Sequence, residues 1–368
     1  MRILYGVAGE GNGHATRSKT VIEHLQRSGH VVLVAGSKQA YRFLRPTFPT
    51  VEIRGLQIKY RDGGMDLPGS IAFNLAAAPT LLRDNLQAAH RIDRFAPQAV
   101  VTDLEPFAYY YAKANNLPVV SIDNHQAMPR CVHAPQVIDT NPAGFGLVST
   151  FVSALMPKCD HYIVSTFAPS PIRSNLHGST LLVPPILRED ILQASRIIRP
   201  SVAPHVLVYQ TDNGGSAQVF NALHAVPQHF IVYGMKTAGE PAEIRRNCTV
   251  KSFNEREFVQ DLAASHAVVS NGGYSLLSEA VALQKPVFSV PMKHHAEQIF
   301  NASCIEHLGY GVNASVFDAS SLIAFLRESP RFAERLHSIP QHDNNARLYN
   351  ALNRLFGGMS GSYPVSLR

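Results

Sequence analysis

The sequence predicts an α/β protein built on two doubly wound parallel sheets that face each other across a cleft. Three observations carry that expectation. Short apolar runs, glycine-rich turns and helical stretches alternate from the N-terminus, beginning with a strand over 2–8, the loop Gly9-Glu-Gly-Asn-Gly-His14, a helix over 15–28 and a strand over 31–35. Strand, glycine loop, helix and strand in that order start a Rossmann-like unit. The alternation restarts after Val183-Pro-Pro-Ile-Leu-Arg-Glu189, whose paired prolines suit a stiff, extended crossing. A chain of 368 residues is also long for one domain and comfortable for two. The expected division is 1–184, 185–340, a helix within 341–356 that packs across both units, and a frayed tail over 357–368.

In the first unit, Gly29 stops the first helix, a short helix covers 39–45 and the third strand covers 51–54. The polar stretch 57–69 reads as a loop. It leads into a long, apolar helix over 70–95, kinked at Pro79. Core packing is the simplest use of that helix, and lining an acceptor cleft or touching a membrane are the alternatives. Strands over 99–102, 118–122, 161–165 and 180–183, with a helix over 107–115, complete the sheet. In the second unit, strands are expected over 205–210, 229–233, 249–252, 267–270 and 286–290. Helices are expected over 217–223, 255–264, 319–328, 331–337 and 344–356, with another opening after Gly273.

Composition narrows the function. Hydrophobic residues make up 45% and charged residues 16%, and no apolar run approaches the ~20 residues of a membrane span. The N-terminal apolar segment is too short for a signal peptide. The four cysteines form no Cys-x-x-Cys pair, which suits a reduced, cytoplasmic protein without a zinc site. The net charge of +6 suits anionic substrates, or peripheral contact with an anionic membrane, and no basic block is long enough for nucleic acid.

The residues that carry chemistry gather at the carboxyl ends of the strands, where ligands bind in open α/β sheets. After the strand 267–270 comes Asn271-Gly-Gly-Tyr-Ser275, a glycine turn at a helix start whose N–H groups and dipole suit a phosphate. Glu279 follows about one turn after Ser275, placed for the diol of a ribose. Gly214 and Gly215 form a second candidate anion cradle, though a tight turn explains them almost as well. Phe253 could stack on a base or sit in the core. Glu297 and Gln298, at a later loop–helix junction, suit sugar hydroxyls, which want fixed acceptors and donors. In the first unit, Gly9, Gly11 and Gly13 are spaced in twos and no acid follows the second strand, so a hydride-transfer cofactor is disfavoured. His14 is the candidate general base, against the plainer reading of a helix cap. Asp103 or Glu105 could orient it, although both also suit the start of the helix at Pro106. The pair Asp103-Leu-Glu105 could alternatively hold a metal. Asn12 and His125 lie on the same edge and are assigned to the acceptor side. None of the 17 histidines has a ligand spacing such as His-Glu-x-x-His, so no metal or other cofactor is expected.

Taken together, these residues resemble the GT-B glycosyltransferases. The stretch with Gly272, Gly273, Glu279-Ala280, Pro286, Pro291, Glu297-Gln298 and Asn301-Ala302 is similar to the donor signature of the UDP-glycosyltransferases and of the lipid-linked N-acetylglucosaminyl transferase of peptidoglycan synthesis. The N-terminal Ile3-Leu-Tyr-Gly-Val-x-Gly-x-Gly-Asn-Gly-His14 and Thr102-Asp-Leu-Glu-Pro-Phe107 resemble a poorly characterised group of microbial GT-B transferases. The resemblance implies a hexosyl- or N-acetylhexosaminyl-transferase. A nucleotide-diphosphate sugar, UDP-sugar first among candidates, would bind the second unit. Its pyrophosphate would meet Gly272, Gly273 and Ser275, its ribose Glu279, and its sugar Glu297 and Gln298. His14, oriented by Asp103, would deprotonate the acceptor without a metal. Two departures bear on mechanism. Position 271 is Asn where plant members carry a phosphate-facing histidine, and where retaining enzymes often carry a glutamate, so inversion is expected. The acceptor stays open: a glycan, a lipid-linked glycan, a small molecule, a protein or a nucleic acid. A non-hydrolysing sugar-nucleotide epimerase and a non-catalytic sugar-nucleotide-binding protein are the alternative readings.

Overall fold

In the computed structural model, residues 1–61, 64–197, 205–210, 216–235 and 247–357 are described. The first half supplies β1 (Arg2–Val7), β2 (Val31–Gly36), β3 (Thr50–Glu52), the hairpin β4 (Lys59–Arg61) and β5 (Gly64–Asp66), β6 (Ala99–Asp103), β7 (Val119–Asp123), β8 (His161–Ser165) and β9 (Thr180–Val183). Seven of these form one sheet in the order β3-β2-β1-β6-β7-β8-β9, with every neighbouring pair parallel. Strands such as β6, β7 and β8 are buried along their whole length, which explains why they read as nearly unbroken apolar runs. The strand order reverses between β1 and β6, where Val7 lies beside Asp103. That reversal opens a crevice at the carboxyl edge.

The helices of this half are α1 (Asn12–Arg27), α2 (Lys38–Leu44), α3 (Leu67–Asp84), α4 (Leu86–Phe95), α5 (Pro106–Ala114), α6 (Ala127–Arg130), α7 (Pro135–Ile138) and α8 (Pro142–Leu155). The glycine loop is shorter than expected, because α1 already begins at Asn12. The long helix expected over 70–95 is two helices. Pro79 lies inside α3, and the break falls at Asn85, whose side-chain amide is bonded to both the N–H and the C=O of Arg54. Core packing of α3 is corrected as well. Among its described side chains only Ser70 is buried, and Leu75 is 71% exposed. The stretch read as a polar loop contains the β4–β5 hairpin, and α6, α7 and α8 were not anticipated.

The second half comprises α9 (Glu189–Ile197), β10 (Val206–Tyr209), α10 (Ser216–His224), β11 (Phe230–Tyr233), β12 (Cys248–Val250), α11 (Glu255–Ala264), β13 (Ala267–Ser270), α12 (Tyr274–Ala282), β14 (Val287–Ser289), α13 (Ala296–His307), β15 (Gly311–Asn313), α14 (Ala319–His337) and α15 (Ala346–Gly357). Its sheet runs β12-β11-β10-β13-β14-β15, again all parallel, with the reversal between β10 and β13. The sixth strand, β15, and helix α9 are additions to the sequence reading. The two helices expected around Pro330 are one. Proline removes the N–H that would bond the carbonyl of Leu326, and Ser329 Oγ donates to that carbonyl instead at 2.8 Å.

The two halves are joined by apolar packing. One core cluster combines Met128, Val137, Val148 and Val152 of the first half with Tyr274, Phe300 and Cys304 of the second. The chain then returns to the first half. The buried side chains of α15 (Leu348, Ala351, Leu352, Leu355 and Phe356) all lie in the core beneath β1, β2 and β6 and not across both sheets.

Candidate active site

His14 leaves the first turn of α1 at the crevice between β1 and β6, and its Nδ1 lies 2.8 Å from Asp103 Oδ1. Asp103 is fully buried at the end of β6. Burial alone would raise its pKa, but the Arg17 guanidinium and His14 reverse that and hold the carboxyl well below the usual carboxylate range. Arg17, one helical turn after His14, grips both oxygens. Its Nε donates to Oδ2 at 3.0 Å and its Nη2 to Oδ1 at 2.6 Å, while Ser18 Oγ donates to Oδ2 at 3.1 Å. Arg17 Nη2 also stands 3.0 Å from His14 Nδ1. That nitrogen cannot donate to Asp103 and accept from Arg17 at once. The ionised carboxylate, already gripped on both oxygens, favours donation, which fixes the proton on Nδ1 and leaves Nε2 as the free base.

A second histidine–carboxylate pair lies against the first. The His125 ring is stacked on His14 with centroids 5.4 Å apart and planes 11° from parallel, and His125 Nε2 lies 3.1 Å from Glu297 Oε2. Burial alone would lower the His125 pKa, but the Glu297 carboxylate raises it. The same contact reverses the effect of burial on Glu297 and holds that carboxylate far below its usual range. Glu297 Oε1 accepts from Asn124 Nδ2 at 3.1 Å, and Asn124 Oδ1 accepts from Arg17 Nη1 at 2.8 Å. His125 Nδ1 is buried and has no protein partner among the described residues.

On the opposite wall, β13 ends in Ser270 and the chain turns through Gly272, at φ 85°, into α12. Glycine is required there twice over, by the positive φ and because a β-carbon would stand 2.7 Å from the Gln298 carbonyl oxygen. The N–H of Gly272 donates to Ser270 Oγ at 3.0 Å, so this expected phosphate donor is already engaged within the turn. Ser275 faces the first half. A β-carbon at Gly13 would lie 2.5 Å from its Oγ, so the starts of α1 and α12 meet across the cleft. Tyr274 OH lies 2.8 Å from Ser165 Oγ, and its ring is 5.8 Å from the Arg17 guanidinium. A narrow cleft is lined by Gly13, Arg17, Arg188, Tyr274, Ser275 and Glu279. A wider surface depression lies by Pro129, Ser149, Arg173 and Leu176, away from both histidine–carboxylate pairs.

Several expected roles change in this geometry. Glu105 is turned into the protein interior. It is 1% exposed, caps α5 through Oε2 and the N–H of Ala108, and its pKa is pushed by burial up to about 7. Its Oε2 is held by the Ala108 N–H, while both oxygens of Asp103 are held by Arg17. Glu279, the residue expected to meet a ribose, is gripped by Arg188 through Nε at 2.9 Å and Nη2 at 3.1 Å. Gln298 Oε1 accepts from the Met292 N–H, so its carbonyl is spent within the loop. Asn271 Nδ2 donates to Gln210 Oε1 at 3.1 Å. Phe253 is 55% exposed rather than core, edge-on to Tyr209. Asn12 is exposed at the start of α1. Gly214 and Gly215 lie outside the described residues. Among the described residues no three His, Cys, Asp or Glu side chains are grouped to hold a metal ion, and no helix is long and apolar enough to cross a membrane. Sequence reasoning missed Arg17, Asn124 and Arg188. The three-residue spacing from His14 was the available signal for Arg17, and the neighbouring His125 was the signal for Asn124.

Comparison with known proteins agrees with this architecture. The model of glycosyl transferase family 1 matches residues 1–330. An uncharacterised glycosyltransferase of Methanosarcina acetivorans is 26% identical over 328 residues, covering 84% of this chain and 85% of its own. One from Methanosarcina mazei is 27% identical over 331 residues, with the same coverage. Among solved structures, the calicheamicin glycosyltransferase CalG4 superposes with a TM-score of 0.69 at 17% identity, covering 98% of this chain and 100% of its own. MurG of Acinetobacter baumannii superposes with a TM-score of 0.59 at 12% identity, covering 96% and 99%.

Proposed function

The chain belongs to glycosyl transferase family 1 and is a glycosyltransferase of GT-B fold, and from that premise we propose that it transfers a hexosyl or N-acetylhexosaminyl group from a nucleotide-diphosphate sugar, UDP-sugar first, to an acceptor hydroxyl with inversion. The observation that carries the reading is the His14–Asp103 contact of 2.8 Å at the strand-order reversal, which leaves Nε2 as the free base. In the proposed step, His14 Nε2 takes the acceptor proton as the acceptor oxygen attacks the anomeric carbon. The bond to the phosphate oxygen breaks, and the nucleoside diphosphate leaves with the electron pair. The imidazolium that forms is stabilised by Asp103. Charge growing on the leaving phosphate is met by the N-terminus of α12 at Gly273 and Ser275. No metal is needed for this step.

Asn271 supports inversion. Its amide cannot act as the carboxylate that a two-step, retaining displacement through a protein nucleophile requires. Incubation with a panel of UDP- and dTDP-sugars and candidate acceptors tests the reading. Acceptor-dependent release of nucleoside diphosphate, with an inverted anomeric centre in the product by NMR, is expected. Release with a retained anomer would contradict the displacement, and no release from any donor would contradict the transferase reading.

A further inference from the structure

Both oxygens of Glu297, on α13 of the second half, reach side chains of the first. Oε1 accepts from Asn124 Nδ2, and Oε2 lies against His125 Nε2, each at 3.1 Å. Two routes lead from these contacts to His14. Along one, Asn124 Oδ1 accepts from Arg17 Nη1, Arg17 grips both oxygens of Asp103, and Asp103 holds His14 Nδ1. Along the other, the His125 ring lies flat on the His14 ring. The six side chains close a ring across the cleft with His14 and Glu297 on opposite sides. A carboxylate has about four lone-pair sites. These contacts leave Glu297 with capacity for donor hydroxyls.

We propose that Glu297 is a positioning residue for His14: by anchoring Asn124–Arg17–Asp103 on one side and the stacked His125 on the other, it holds the imidazole in one tautomer and one orientation. This rests on the reading of His14 as the base. The consequence is that the base is fully aligned only while the two halves are closed on each other. Acceptor activation is thereby confined to a cleft whose donor side is in place. A residue that only touched a donor hydroxyl would have no effect on the His14 ring in the absence of donor.

Nitrogen-15 spectra of the histidine rings, recorded on the whole protein without substrate and assigned through His14→Gln, test this directly. In the wild type His14 is expected to show one tautomer, protonated at Nδ1. In Glu297→Ala the two ring-nitrogen signals of His14 move toward each other, as exchange between tautomers requires, and Glu297→Gln, which keeps an acceptor for Asn124, moves them less. Unchanged His14 signals in Glu297→Ala overturn the proposal. If that variant loses its thermal unfolding transition, Glu297→Gln and Asn124→Ala decide, and unchanged signals in both overturn it. If no sugar nucleotide reacts while the His14 signals move as stated, the transferase reading fails and the positioning role stands.

Discussion

His14 and Arg17 lie one helical turn apart, so both leave α1 on the face that looks along the carboxyl edge of the first sheet. That spacing lets one carboxylate, Asp103, serve both. It fixes the imidazole, and it neutralises a guanidinium whose side chain is only 4% exposed. Removing one member of a buried ion pair leaves the other uncompensated, and Arg17→Met is expected to cost about 3–5 kcal/mol of folding stability in chemical denaturation. A cost below about 1 kcal/mol, the level of an exposed pair, would contradict the buried grip. His14 and Asp103 were legible in the sequence because each follows an unmistakable buried strand. Arg188 was not. Its partner Glu279 lies 91 residues away, and only the folded crossing between the sheets brings them together.

Where elements begin and end, local side chains decide. Glu105 caps α5, and its Oε1 is buried without a hydrogen-bond partner among the described residues. Burial raises its pKa from 4.5 to about 7. Below pH 4.5 the carboxyl is protonated in both states and contributes no pH dependence. Between 4.5 and about 7 only the unfolded chain ionises, so stability falls as pH rises, by about 3 kcal/mol in total. Glu105→Gln cannot ionise and is expected to remove that part of the slope when unfolding free energy is measured across this window. Curves that stay parallel to the wild type would show that the carboxyl is already ionised in the fold. The same local logic explains two misread boundaries. A helix was expected to end at Glu328, two residues before Pro330, but Ser329 satisfies the carbonyl that proline orphans. A helix was expected to run through Asn85, but that side chain is diverted to the Arg54 backbone. Neither satisfaction is visible in periodicity, because each depends on one hydrogen bond.

Across the whole molecule, both sheets were legible because their inner strands are buried on two faces and read as short apolar runs. The edge strand β15 and the short helices α6 and α7 were not, since three or four residues carry too little pattern. The path of α15 was also hidden, because an amphipathic helix shows that it has a buried face but not which core receives it. It returns to the first sheet, so Leu352→Ala, fully buried there, is expected to lose about 2–5 kcal/mol in denaturant unfolding. A loss under about 0.5 kcal/mol would mean that α15 is not docked on that core. The proposed active site likewise belongs to neither half alone: in that reading the base comes from α1, its support from β6, and the donor wall from α12 and α13. The most direct test of that division is to measure, for wild type and His14→Ala, both nucleoside diphosphate release with the acceptor and calorimetric affinity for the same UDP-sugar. Release is expected to fall by about 10²–10⁴-fold with donor affinity nearly unchanged; release at close to the wild-type rate would contradict His14 as the base.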